Sequence, residues 1–92
     1  MSATQLSEQI ESEVLTAKSH KLVIHNDEVN TFEWVIKALM EICKHSEEQA
    51  EQSSYIIHHK GKYAVKWGSL EELRPMKDGI TDRGINVTIE KD

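Results

Sequence analysis

The spacing of apolar residues along this chain switches between a period of two and a period of three to four, and each switch marks a new element. Residues 1–19 are polar and rich in Ser, Gln and Glu, with Leu6, Ile10 and Val14 spaced four apart. A lone helix of that length is marginal in water. A flexible extension over residues 1–19 with transient helix is expected, ahead of a core domain over residues 20–92. Lys21 to His25 reads as a strand, with Leu22, Val23 and Ile24 supplying β-propensity. Asn30 then has the pattern of a helix N-cap, with Glu33 three residues on as in a capping box. Phe32, Val35, Leu39 and Ile42 follow at helical spacing, and Ile36 and Cys43 widen the stripe. The first helix is therefore expected over about Thr31 to Lys44.

Ser46 with Gln49 opens a second helix, and Gly61 closes it as a left-handed cap. The inward stripe of that helix, Ala50, Ser53 or Ser54, and Ile57, is small and polar. Such a face allows close packing of helices or leaves space for something else. Lys62 to Trp67 alternates as a strand. Ser69 with Glu72 caps a third helix carrying Leu70, Leu73, Met76 and Ile80, which Pro75 threatens to split. Gly84 stops it, and Ile85 to Ile89 alternates as the last strand. The order β-α-α-β-α-β predicts an α+β fold in which helices cover one face of a small sheet.

Composition narrows the function. Ninety-two residues suffice for one domain with a modest core. The formal charge of −5, from 16 acidic and 11 basic residues, disfavours nucleic acid as a partner and suits cationic groups. The single cysteine, Cys43, forms no internal disulfide and reads as a small buried side chain. Without a long apolar run or a signal-like start, a cytoplasmic, soluble protein is expected.

The chemistry concentrates where the first strand ends. His25, Asn26, Asp27 and Glu28 bring hydrogen-bonding and anionic groups to the rim of an apolar surface carrying Phe32 and Val35. That pairing suits a ligand with a cation at one end and a hydrocarbon or aromatic group beside it. The first residue of another polypeptide is such a ligand. Each feature alone has a plainer meaning: a polar turn, a surface His58, ordinary core positions at Phe32, Val35 and Ile42.

In combination and in order, the features are more specific. His25-Asn26-Asp27-Glu28, the capped helix after it, Ser46-Glu47-Glu48-Gln49-Ala50, His58-His59-Lys60-Gly61-Lys62 and Val87-Thr88-Ile89-Glu90 resemble the ClpS family, over about residues 20–90. The resemblance implies three helices on a three-stranded antiparallel sheet, a fold similar to the carboxy-terminal domain of the ribosomal stalk protein. It also implies an adaptor that binds N-degrons, proteins beginning with Leu, Phe, Tyr or Trp. Such adaptors deliver them to a Clp AAA+ unfoldase of ClpA or ClpC type working with the ClpP peptidase. No catalysis, cofactor or metal is implied, and a monomer is expected. Carried over by position, Asn26, Glu28 and His58 match the residues that grip the substrate amine, with Asp27 between them. Asn30, Phe32, Val35, Ser54, Ile57 and Ile85 match positions lining the hydrophobic pocket.

Departures from the family pattern are also visible. Glu28 stands for an aspartate, Phe32 for a methionine at the pocket mouth, and Ser54 for a larger apolar residue. The segment from Lys66 to Ile80 is shorter than usual, so no unfoldase-docking residue is transferred. Two rival functions remain. A metal-dependent hydrolase would need His25, His58 and His59 with Asp27 or Glu28, yet adjacent helical histidines diverge by about 100° and no His-Glu-x-x-His pattern is present. A structural interaction module with the stalk-like fold is the other, because a fold alone does not establish function.

Overall fold

Leu22, Val23 and Ile24 are all buried, although side chains in a strand point alternately to opposite faces. Flanking strands on both edges favour that condition, and the computed structural model, which describes residues 19–92, places this strand at the centre of the sheet. Strand β1 (His20–His25) lies between β2 (Lys62–Gly68) and β3 (Val87–Lys91), antiparallel to both. Apart from Ser19, the expected extension lies outside the described residues.

Leu22 and Ile24 join the core cluster and Val23 does not, so the main core sits on one face of the sheet. Three helices cover that face: α1 (Phe32–Ile42), α2 (Glu47–Lys60) and α3 (Leu70–Asp82). They contribute Ala38 and Leu39, Ala50 and Ile57, and Leu73 and Ile80. The architecture is the expected α+β one, in the expected order. The β1–β2 register shifts between Leu22 and Val23, which leaves Val65 as an extra residue in β2. Its carbonyl accepts a hydrogen bond from His45 Nε2 at 2.8 Å, tying the link between α1 and α2 to the sheet. Among the described residues, no helix is long and apolar enough to cross a membrane.

Two caps follow the sequence rules closely. Ser46 accepts from Gln49 N, and Ser69 forms a complete capping box with Glu72. Gly61, at φ 90°, ends α2 in the left-handed region that glycine adopts without a steric penalty.

Four local expectations are corrected. The N-cap of α1 is Thr31, whose hydroxyl accepts from Trp34 N at 3.1 Å, because the Asn30 amide is held elsewhere. Helix α1 ends at Ile42 rather than Lys44, since Lys44 turns into the left-handed region at φ 59°. Helix α3 runs unbroken through Pro75. The carbonyl freed by the missing proline N–H belongs to exposed Glu71, so water can satisfy it. Strand β3 starts at Val87 rather than Ile85. Gly84, at φ 78°, folds the chain back so that Ile85 N donates to Ile80 O at the end of α3.

Candidate functional site

The loop from Asn26 to Thr31 is positioned at both ends by backbone. Asn26 N donates to Gly61 O at 2.8 Å, directly after α2, and His25 N donates to Asn86 O at 2.9 Å, directly before β3. Between them Asp27 organises the turn. Its Oδ1 accepts from Val29 N and Asn30 N at 2.9 and 2.8 Å, and its Oδ2 accepts from Asn30 Nδ2 at 2.7 Å. The Asn30 backbone N–H, above all, holds the Asp27 carboxyl below the ordinary carboxylate range. Asn30 Nδ2 also donates to Gly84 O at 3.0 Å. Both of its partners are acceptors, which fixes the orientation of the amide.

This loop roofs a hollow walled by α1 and α2. Asn26, Asn30, Thr31, Phe32, Val35, Ser54, Ile57 and His58 line it, around an empty space of about 240 Å³ that includes its open mouth. Most of that space is open to solvent; the part enclosed by the walls is about 30 Å³, room for roughly one or two water molecules. A neighbouring hollow shares Asn26, Asn30, Val35 and Ile57, and Asp27 and Ile85 line it as well. No lysine or arginine lines either space.

The residues singled out in the sequence are therefore placed as follows. Asn26 and His58 share the first hollow with Asn30, Phe32, Val35, Ser54 and Ile57. Asp27 and Ile85 border the second, and Asp27 has its carboxylate engaged by the loop. Glu28 is exposed and lines neither. Phe32, 40% exposed, sets its ring 5.1 Å from the His58 ring at the entrance. Within the described residues no hydrogen bond engages the side chains of Asn26, Glu28 or His58. Their polar atoms are available to a ligand.

Thr31 joins the lining although sequence reasoning did not single it out. Its position beside Asn30, at a helix start, was the available signal. As for the hydrolase rival, the His58 and His59 rings stand 5.3 Å apart and nearly perpendicular, at 89°. Among the described residues no three His, Cys, Asp or Glu side chains gather where they could hold a metal ion.

The family described as "ATP-dependent Clp protease adaptor protein ClpS" matches residues 16–88. The chain belongs to the ClpS family. Among its relatives is the ATP-dependent Clp protease adapter protein ClpS of Shewanella halifaxensis, 34% identical over 58 residues, or 63% of this chain and 57% of that protein. The adapter of the same name from Streptomyces coelicolor is 29% identical over 70 residues, covering 76% and 73%. The chain thus spans little more than half the length of the Shewanella relative. In fold it is similar to ClpS2 of Agrobacterium tumefaciens, solved bound to L-phenylalaninamide, with a TM-score of 0.71 at 20% identity. That likeness covers 83% of this chain and 99% of the other. The hollow beneath the Asn26 loop brings together most of the residues singled out by the resemblance, Glu28 excepted.

Proposed function

We propose that this chain is a protease adaptor that binds the free first residue of N-degron proteins and delivers them to a Clp AAA+ unfoldase with its ClpP peptidase. The observation that carries the reading is the meeting of Asn26 and His58 with Phe32, Val35 and Ile57 around one open hollow. Unengaged hydrogen-bonding groups stand at the rim, and apolar wall lies beneath.

A protonated amino terminus carries three donors and one positive charge. Asn26 offers a neutral acceptor and His58 an acceptor nitrogen, direct or through water. Glu28, exposed and two residues along the same loop, swings its longer side chain toward the ammonium and supplies the charged acceptor. Charge-assisted bonds contribute about 1.5–3 kcal/mol each. Burying the adjoining Leu, Phe, Tyr or Trp side chain adds about 1.5–3 kcal/mol more. Asp27 acts through the loop: its carboxylate sets the turn that presents Asn26. The chain performs no covalent chemistry in this role and works in the cytoplasm as a monomer. The choice between a ClpA-type and a ClpC-type unfoldase belongs to surfaces away from this hollow.

The test removes the charge and nothing else. Acetylating a Phe- or Leu-initiated peptide leaves one amide donor where three stood, and each unpaired buried polar group costs about 1–3 kcal/mol. Fluorescence anisotropy is expected to give at least tenfold weaker binding for the acetylated peptide. Equal binding by both forms rejects the reading and leaves a structural interaction module.

A further inference from the structure

Two buried side-chain polar atoms lack a hydrogen-bond partner among the described residues: His45 Nδ1 and Ser54 Oγ. The His45 ring is explained by its other nitrogen, which anchors the bulged strand through Val65 O. Ser54 has no such explanation. It is 3% exposed, lies on the inward face of α2 and belongs to the wall of the first hollow. A buried hydroxyl with nothing to bond is a cost that folding alone does not recover.

We infer that Ser54 is a specificity-determining residue whose hydroxyl pairs with the phenol of a first-residue tyrosine; the inference rests on the function proposed above. With the ligand amine held at Asn26 and His58, the adjoining side chain enters between Phe32, Val35 and Ile57. A polar atom at the far tip of a rigid ring is then the group that meets a hydroxyl in the wall. Tyrosine carries one there. Leucine and phenylalanine do not, and the indole N–H of tryptophan lies on the side of its ring. A serine and a phenol each donate and accept, so either satisfies the other. Phenylalanine leaves Ser54 as unpaired as it was before binding, so the hydroxyl discriminates by what tyrosine gains. One neutral hydrogen bond corresponds to about a threefold to tenfold preference for tyrosine over phenylalanine.

The experiment titrates the protein and its Ser54→Ala variant with peptides that differ only in the first residue: Tyr, Phe, 4-fluoro-Phe and Leu. The wild type is expected to bind Tyr about threefold to tenfold more tightly than Phe, with 4-fluoro-Phe following Phe because it fills space without donating. Ser54→Ala should weaken Tyr at least threefold and leave Phe and Leu within about twofold. Its thermal midpoint should match or exceed that of the wild type, since the deleted hydroxyl was unpaired. Should Tyr and Phe bind alike in the wild type, respond equally to the substitution, or 4-fluoro-Phe follow Tyr, the inference is overturned while the adaptor reading stands. Should no free-amine peptide bind at all, both are overturned.

Discussion

At the scale of single residues, Asp27 decides the shape of the loop. Its two oxygens serve three N–H groups, so the turn depends on a carboxylate rather than on sterics alone. Those bonds hold the Asp27 pKa below its ordinary value of 3.8. A depressed pKa contributes stability that is present above pH 3.8 and lost as pH falls through the lower folded value. Asp27→Asn keeps the shape but sets an amide N–H₂ against a second donor, either Asn30 Nδ2 or the loop amides. Hydrogen exchange at Val29 and Asn30 should accelerate about tenfold, and affinity for every first residue should fall by about threefold to tenfold without a change in ranking. Exchange rates like those of the wild type would show that the strand ends alone hold the loop. The same neighbourhood explains the misplaced N-cap. Asn30 and Thr31 are both good caps by type. What frees Thr31 for the task is that Asn30 is captured by Asp27 and by Gly84 O, 54 residues away, and no local pattern carries that information.

Among elements, the rules that held were the ones that close within a single turn. The Ser46 and Ser69 caps and the Gly61 stop need only partners up to four residues off, and each stands where its sequence pattern put it. The rules that failed involve competition with distant groups: the start of α1, the start of β3, and the passage of α3 through Pro75. Leu73 and Ile80 are buried on either side of that proline, and their packing outweighs one missing bond. The candidate hollow was legible in the same measure. Asn26, Phe32, Val35, Ser54, Ile57 and His58 were legible through the family resemblance rather than by residue type alone, whereas the contribution of Thr31 depends on how the loop is pinned. The link between α1 and α2 supplies a prediction of its own. Lys44 occupies the left-handed region at φ 59°, at a cost of roughly 1–2 kcal/mol for a residue with a Cβ. Its ammonium donates to Glu41 O at 3.0 Å, on an exposed surface. Lys44→Gly should therefore stabilise the fold by about 1 kcal/mol in chemical denaturation, after glycine's greater unfolded-state entropy is offset. A destabilised variant would mean that the lysine side chain contributes more than its backbone costs.

Across the whole molecule, the core is small enough for one thiol to report on it. Cys43 is 0% exposed, and burial pushes its pKa from 9.0 up to about 11, against a smaller opposing pull from Lys66. The stability from this group is fully present below pH 9.0, where folded and unfolded chains both keep the proton. It is lost as pH rises toward about 11, because the unfolded chain ionises first. At pH 8 a thiol reagent should label native protein at least about a hundredfold more slowly than denatured protein, since labelling waits for the core to open. Labelling at similar rates would place Cys43 at the surface. The reach of the Asn30–Gly84 bond has a further consequence, for biosynthesis. A nascent chain that has released Asn26, Phe32 and His58 from the ribosome has only the Asp27 turn and the Gly61 contact to hold its loop, because Gly84 is translated only after α3. Under the proposed function, an unfinished copy therefore holds its binding loop less firmly than the finished protein, and the last clamp closes only as the final strand docks.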